Sequence, residues 1–271
     1  MIAPRFIDAH AHLHDTAFGA GRAEVLARMR ESGVAVITVG TDFGESERAV
    51  ALAEKEPDVW ATVGIHPIDN RTDVWEEERF LSLAAHPRVV AIGECGLDYF
   101  RLEDFRREGR ITNMDAEIDR QRELFDRQIA VAKKIGKPLM LHGRPSRGTM
   151  DAYRDMLHML RAGDVIGNAH FFVGTIPIAE RFLDLGFTFS FGGVLTFTRE
   201  YDEVVRYLPL DRILAETDAP YVAPIPYRGK RNEPTFVTEV YAAIARIRGE
   251  DSDRVAGAIR ENTYRIFALT P

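Results

Sequence analysis

The chain alternates short, continuously apolar runs with longer amphipathic stretches, and this alternation limits the possible folds more than any other feature. We predict strands at residues 5–9, 34–39, 59–63, 89–93, 138–141, 165–169, 187–191 and 212–215. We predict helices at 21–32, 45–55, 74–85, 116–135, 148–162, 176–184, 200–207, 234–248 and 252–267. Runs such as 34–39 (VAVITV) lack a polar face, which is typical of parallel strands that are covered on both sides.

Eight strands separated by helices predict an α/β fold, and specifically a (β/α)8 TIM barrel. No linker or change of composition divides the chain, so we expect residues 1–271 to form a single domain. The alternative architecture is a doubly wound open sheet. No Gly-x-Gly-x-x-Gly opens the first predicted helix, so a dinucleotide site of the kind found in such sheets has no support.

Composition limits the partners and the cellular location that we expect for the protein. The formal net charge of −7 argues against a protein that binds duplex DNA over a broad basic surface. It does not argue against an enzyme that binds one end of a strand through metal ions. No apolar run approaches the roughly 20 residues that span a bilayer, and the first residues lack the features of a signal peptide. The single cysteine, Cys95, excludes an internal disulfide. We therefore expect a cytoplasmic protein without membrane association or an obligate protein partner.

Two histidines, His10 and His12, lie at the end of the first predicted strand. Side chains two residues apart in an extended segment point to the same side, so both rings can face one metal ion. The pair alone is weak evidence, because this spacing also occurs on ordinary strands. The positions of the other histidines and carboxylates in the chain strengthen it.

Further candidate ligands follow other predicted strands. His66 follows the third strand, Glu94 the fourth, His142 the fifth, His170 the sixth and Asp218 the eighth. Active sites of TIM barrels lie at the carboxyl ends of the strands, so these side chains are expected to converge there. Five of the eight histidines are expected at this one end of the barrel, whereas randomly placed histidines would scatter.

Histidine and carboxylate ligands without cysteine suit Zn²⁺, Mn²⁺ or a related ion, and the set is large enough for two ions. Glu94 is the best candidate to bridge them, because a carboxylate has two oxygens to share. Asp218 can bind a metal and also take a proton from an attacking water. We therefore interpret Glu94 and Asp218 as the catalytic residues of a two-ion hydrolytic centre.

His66 and Arg144 each have two interpretations, one structural and one in which the residue contributes to the site or contacts the substrate. His66 is either a turn residue packed against Pro67 or a part of the site. Arg144 is either a surface or salt-bridge arginine or a contact to phosphate, since it lies two residues after a candidate ligand. The strongly charged segment 101–115 is expected to be a solvated loop, with a lid above the barrel mouth as the alternative.

Three carboxylates near the site are expected to have supporting roles. Asp8 is a candidate to hold a ligand histidine by its other ring nitrogen. Asp98 is expected to cap or brace the loop after the fourth strand. Glu216 is a possible ligand, although burial or an ion pair is the favoured interpretation.

Five motifs in this order resemble the TatD-related DNases, a family of metal-dependent hydrolases with a barrel fold. They are residues 8–13 (DAHAHL), 64–67 (GIHP), 92–99 (IGECGLDY), 216–221 (ETDAPY) and 226–234 (PYRGKRNEP). They extend over nearly the whole chain. Two flanking segments depart from the family pattern, namely Gly143–Ser146 after His142 and Phe171–Gly174 after His170. All candidate ligands are kept, so only the surface that faces the substrate is in question.

The resemblance implies a role for each candidate residue. One divalent metal would be held by His10, His12, Glu94 and Asp218, and a second by Glu94, His142 and His170. His66 and Arg144 would face the substrate phosphate. Family members act with Mg²⁺ or Mn²⁺ on DNA, often from the 3′ end of single strands, and Zn²⁺ or a similar ion is an alternative in purified protein. The alternative functions are hydrolysis of a small ester, amide or lactone on the same centre, and a non-catalytic interaction role.

Overall fold

The computed structural model describes residues 4–68 and 75–269. Its eight strands are β1 Phe6–Ala11, β2 Val34–Val39, β3 Val59–Val63, β4 Val89–Asp98, β5 Leu139–Arg144, β6 Gly167–Ala169, β7 Thr188–Phe191 and β8 Ile213–Ala215. The helices in these residues are α1 Arg22–Glu31, α2 Phe43–Lys55, α3 Glu77–Ala84, α4 Leu102–Arg107, α5 Met114–Ile135, α6 Asp151–Met159, α7 Ile176–Asp184, α8 Asp202–Tyr207, α9 Val237–Arg248 and α10 Ser252–Ile266.

The strands form one parallel sheet in the order β1 to β8, and this sheet curves into a barrel. Backbone hydrogen bonds join its two edges just beyond β8. The amide of Asp218 donates to the carbonyl of His10 at 2.9 Å, and the amide of His12 donates to Ala219 at 2.7 Å. The predicted (β/α)8 barrel is therefore confirmed, and the open sheet is excluded.

Burial follows from the predicted pattern of apolar runs. Every residue of β2, β3 and β4 is buried, as expected of strands with helices on one side and the barrel interior on the other. Helix α5 illustrates how the outer layer is delimited. It begins after Asn113, whose side chain accepts from the amide of Ala116, and ends at Gly136 with a left-handed φ of 68°.

Strand β4 is longer than predicted, and this changes the setting of Glu94. The prediction ended the strand at residue 93, whereas pairing with β5 continues from Cys95 to Asp98 after a register shift that follows Ile92. Glu94 therefore lies inside a strand. Gly96 permits the close approach of β5, since a Cβ there would lie 2.2 Å from the carbonyl oxygen of His142.

The segment 101–115 is not the solvated loop that its charge suggested. Helix α4 forms within it, and Leu102, Phe105 and Ile111 are buried against the barrel. The charged residues occupy the outer side, while these three apolar side chains fix the segment in place. Residue 74, the predicted start of the third helix, lies outside the described residues. None of the described helices is long and apolar enough to cross a membrane.

Candidate metal centre

The first cluster of candidate ligands lies where β1 ends and the chain leaves β8. The Nε2 atoms of His10 and His12 are 3.4 Å apart. Asp218 Oδ1 lies 3.7 Å from Nε2 of His10 and 3.5 Å from Nε2 of His12. These three side chains offer ligand atoms close enough together to hold one ion.

Glu94 lies between this cluster and a second group of histidines. Its Oε2 is 3.4 Å from Nε2 of His10 and 3.8 Å from Nε2 of His12. Its Oε1 faces the other way, 2.7 Å from Nδ1 of His142 and 2.8 Å from Nε2 of His170. One carboxylate oxygen is therefore directed to each group, which is the arrangement that a bridging ligand requires.

The ring of His12 has a defined orientation and tautomer. Its Nδ1 lies 2.8 Å from the carbonyl oxygen of Val39. A carbonyl can only accept, so Nδ1 carries a proton and Nε2 is the nitrogen that faces Asp218 and Glu94, where it can ligate a metal ion once its own proton is lost. Burial would lower the pKa of His12, but the two carboxylates outweigh burial and raise that pKa to about 9.

Two buried carboxylates lie beside opposite ring nitrogens of His142 and His170. Asp98 Oδ2 lies 3.1 Å from Nε2 of His142, which leaves Nδ1 of that ring toward Glu94. Glu216 Oε1 lies 3.3 Å from Nδ1 of His170, which leaves Nε2 toward Glu94. A partner on the second nitrogen of a ligand histidine fixes the ring and increases its basicity.

These contacts refine the expectations for the supporting carboxylates. Asp98 braces the chain after β4 as predicted, because it accepts from the amide of Arg101 at 3.2 Å, but it also holds the His142 ring. Glu216 is fully buried, as the favoured interpretation had it, and accepts from the Ser190 hydroxyl at 2.5 Å. The spacing of both residues from the candidate ligands indicated that they would lie near the site. Asp98 is four residues from Glu94 along an extended segment, and Glu216 precedes Asp218 by two.

The prediction for Asp8 is wrong in its details. Its carboxylate contacts the amide of Thr217 at 2.9 Å, the Thr217 hydroxyl at 2.5 Å and the amide of His10 at 3.2 Å, rather than a histidine ring. Asp8 therefore ties β1 to the chain that leads to Asp218, and supports the centre through the backbone. Burial raises the pKa of this carboxyl well above its usual range.

The electrostatics of the centre favour charged carboxylates. Burial opposes ionisation of Glu94, but His170, His10 and His66 hold the pKa of that carboxyl well below its usual range. Burial likewise opposes ionisation of Asp218, but the facing histidines lower the pKa of its carboxyl. Both groups are thus ready to act as metal ligands at neutral pH.

The two residues expected to face the substrate lie at different distances from the centre. His66 Nε2 is 3.7 Å from Glu94 Oε1, and its ring packs edge-on to that of His142, 4.3 Å between centroids. Arg144 is exposed at the end of β5, with its guanidinium carbon 4.1 Å from the centre of the Phe100 ring. His66 borders the ligands directly, whereas Arg144 stands at the rim.

The donor set fits divalent metal ions. Imidazole nitrogens and carboxylate oxygens converge without cysteine, hydrogen bonds orient the rings of His12 and His142, and Glu216 lies beside that of His170. Such a set accepts Zn²⁺, Mn²⁺ and related ions. The geometry therefore supports a metal-dependent hydrolytic centre at the carboxyl end of the barrel.

The model of the TatD related DNase family matches residues 7–268. The chain belongs to this family. Bacillus subtilis YabD, an uncharacterized metal-dependent hydrolase, is 35% identical over 270 residues, covering 97% of this chain and 98% of that protein. The 3′-5′ ssDNA/RNA exonuclease TatD of Pantoea vagans is 34% identical, covering 97% of this chain and 99% of that protein.

Solved structures of TatD proteins share the whole fold. The crystal structure of the TatD homologue YJJV from Escherichia coli has a TM-score of 0.83 and 30% sequence identity, with complete coverage of both chains. The organophosphorus hydrolase of Deinococcus radiodurans has a TM-score of 0.60 at 12% identity, so that likeness concerns the fold alone. The family model and the metal-dependent relatives identify this TatD-family chain as a metal-dependent hydrolase.

Proposed function

We propose that this chain is a divalent-metal-dependent nuclease that hydrolyses phosphodiester bonds of single-stranded nucleic acid from the 3′ end. The observation that carries the proposal is the position of Glu94, with one oxygen toward His10 and His12 and the other toward His142 and His170. A centre of two bridged ions suits phosphodiester cleavage, since it serves both the attacking and the leaving oxygen.

His10, His12, Glu94 and Asp218 would hold one ion, and Glu94, His142 and His170 the second. Mg²⁺ or Mn²⁺ is proposed for activity. When bound, the ions would acidify a water and neutralise negative charge on the phosphoryl oxygens. Asp218 would accept the proton of the attacking water, because its pKa is lowered and its carboxylate stays available.

His66 and Arg144 are proposed to bind the phosphate of the substrate. His66 stands beside Glu94, so its Nε2 can donate to a phosphoryl oxygen near the ligands. Arg144 lies at the end of β5 with its side chain exposed over Phe100, so its guanidinium is accessible to a ligand. A guanidinium there can form paired hydrogen bonds to a phosphate.

The nucleic-acid substrate is supported by the family and by relatives that carry an exonuclease name. The acidic net charge of −7 disfavours extended contacts along duplex DNA. Recognition of a single strand end at a metal centre is compatible with that charge, because bound cations reverse the local field.

The test is a time course on single-stranded DNA labelled at either end, with Mg²⁺, Mn²⁺, Zn²⁺ or a chelator. We expect metal-dependent shortening from the 3′ end, and a loss of at least about 100-fold in Glu94→Ala, which removes a ligand, and in Asp218→Asn, which removes the negative charge and the proton acceptor. Exposed Glu24→Gln on α1 serves as a matched carboxylate control with wild-type activity.

Equal cleavage by wild-type protein and both ligand variants would show that the proposed centre is not the active site. Intact DNA under every metal would exclude the nuclease function. A parallel panel of small esters, amides and lactones then identifies the alternative reaction, which the ligand variants would also abolish.

A further inference from the structure

An exposed apolar surface borders the metal centre beside the ends of β7 and β8. It is formed by Phe197, Tyr221 and Ile225, which are 42%, 55% and 48% exposed, together with the guanidinium of Arg228. We call these four residues the aromatic ridge. Large apolar side chains this exposed and this close to a site usually mark a binding surface.

The ridge is a built feature of two loops that support each other. The amide of Ile225 donates to the Thr196 hydroxyl at 2.9 Å, which joins the loop after β8 to the loop after β7. A Cβ on Gly193 would lie 2.5 Å from the carbonyl oxygen of Val222, so the two backbones are in direct contact. The exposed side chains therefore stand on a packed base.

One end of the ridge adjoins the metal ligands. The amide of Tyr221 donates to the carbonyl of Asp218 at 2.8 Å, so the two residues share one tight turn. The ring of Tyr221 lies 6.1 Å from the ring of His12. The exposed ring of Tyr221 therefore stands next to the metal ligands.

The ridge also carries positive charge on a protein that is acidic overall. The guanidinium carbon of Arg228 lies 4.1 Å from the centre of the Phe197 ring. Within residues 4–68 and 75–269, no carboxylate lies within 4.0 Å of Arg228, and nearby Lys230 is exposed. An aromatic face beside an uncompensated cation is the combination that stacks a base and contacts its phosphate.

The opposite side of the barrel mouth repeats this combination. Phe100, which follows β4, lies beneath two guanidinium groups, with Arg144 at 4.1 Å and Arg147 at 4.7 Å from its ring centre. Arginine and aromatic side chains thus flank the ligands on both sides. Stacking on such faces requires bases that are free of a partner strand, which a duplex does not offer.

We propose that the aromatic ridge stacks the bases next to the scissile phosphate of a single-stranded nucleic acid. This inference rests on the proposed nuclease function and names the residues that select its substrate. Tyr221 and the uncovered face of Phe197 provide the stacking surfaces, and Arg228, which lies over the other face of Phe197, contacts a backbone phosphate. The expected consequence is a preference for single strands with intact bases over strands that keep only the backbone.

The test compares Phe197→Ala, Tyr221→Ala and Arg228→Ala with wild-type protein loaded with Mn²⁺. Matched controls are Tyr207→Ala and Ile166→Ala, whose side chains are 46% and 48% exposed beside the amino ends of β8 and β6. One substrate is a single strand labelled at its 3′ end. The other is the same strand with abasic residues in its last positions.

We expect Phe197→Ala and Tyr221→Ala to raise KM by about tenfold on the strand with bases, in line with the stacking of one base, while kcat stays within about twofold. On the abasic strand the wild-type KM is already high and these two variants do not change it. Arg228→Ala raises KM on both strands, and the slope of affinity against salt decreases. The control variants match wild type throughout.

Fluorescence anisotropy with a strand whose last linkages are phosphorothioates measures binding separately from cleavage. Cleavage with wild-type KM in both aromatic variants would overturn the ridge and leave the nuclease function standing. Binding that the two variants weaken, without cleavage by any protein, would support the ridge and refute the nuclease function. No binding by wild-type protein would refute both.

Discussion

At the scale of single residues, the centre depends on which nitrogen of each histidine points inward. Asp98 holds His142 by Nε2, and Glu216 lies beside Nδ1 of His170, so the two rings present different nitrogens to the same oxygen of Glu94. The carbonyl of Val39 does the same for His12. Residues outside the ligand set therefore decide how the ligands face one another.

Replacing Glu216 by Gln tests this arrangement. Glu216→Gln keeps an acceptor for the amide of Phe171, which donates at 2.7 Å, but removes the negative charge beside His170. We expect the affinity for Mn²⁺ at one site to fall by about 10- to 100-fold, as is typical for such partners. Titration calorimetry measures the affinity, and exposed Glu180→Gln on α7 is the control.

An unchanged Mn²⁺ affinity in Glu216→Gln, with an unchanged unfolding temperature of the metal-free variant, would contradict the role assigned to Glu216. A fall in both quantities would instead indicate that the buried carboxylate serves mainly the fold.

The candidate ligands were predictable because each follows a readable apolar run. His10, His66, His170 and Asp218 lie at or just beyond the strand ends, where a barrel places its active site. The partner of Asp8 was not predictable, because the contact with Thr217 is set by how the backbone closes the barrel beyond β8 and not by the position of a strand end. Such contacts depend on how the last strand meets the first.

At the scale of elements, helix α4 is the element that the sequence did not predict. Its charged residues suggested solvation, yet Phe105 is buried and has the guanidinium of Arg110 stacked on it at 3.8 Å. Strand β4 likewise extends beyond its predicted end at residue 93, and Gly93 and Gly96 allow β5 to approach closely there. Periodicity located the elements but not these extensions.

Phe105→Ala tests whether α4 is a packed element. Removing a buried aromatic ring leaves a cavity, so we expect the free energy of unfolding to fall by about 3 kcal/mol. Exposed Arg106→Ala on the same helix should change it by no more than about 0.5 kcal/mol. Urea unfolding followed by circular dichroism measures both, and equal stabilities of the two variants would restore the solvated-loop interpretation.

A second element-level contact joins helix α2 to the chain after β1. His14 lies 2.9 Å from Glu45 through Nε2 and 2.8 Å from the Thr38 hydroxyl through Nδ1. The hydrogen bond from His14, assisted by Arg48, lowers the pKa of Glu45 from 4.5 to about 2. A carboxyl whose folded pKa is depressed stabilises the fold above its unfolded pKa, and this contribution is lost as pH falls toward the folded pKa.

Glu45→Gln should therefore be less stable than wild type at about pH 7, and the difference should shrink as pH falls from about 5 to about 2. Urea unfolding at several pH values measures this, with exposed Glu31→Gln as the control. A difference between Glu45→Gln and wild type that stays constant over this pH range would refute the assigned contact.

At the scale of the whole molecule, the barrel gathers distant parts of the chain at one end. The first cluster joins His12 to Asp218, and Glu94 connects it to His142 and His170. The whole chain has a net charge of −7, but exposed arginines lie over aromatic rings around the carboxylate ligands at the barrel mouth. The local charge at the mouth is therefore more positive than the net charge of the protein suggests. The fold thus places the surface proposed to bind the strand next to the metal ligands.

The most direct measurement is a titration of metal-free protein with Mn²⁺, followed by electron paramagnetic resonance at each ratio of metal to chain. Bridging by Glu94 predicts that two ions bind per chain and that their signal is that of an exchange-coupled pair. In Glu94→Ala the coupling should disappear, and any bound Mn²⁺ should give the signal of an isolated ion. An uncoupled signal at two ions per chain in the wild-type protein would contradict a centre bridged by Glu94.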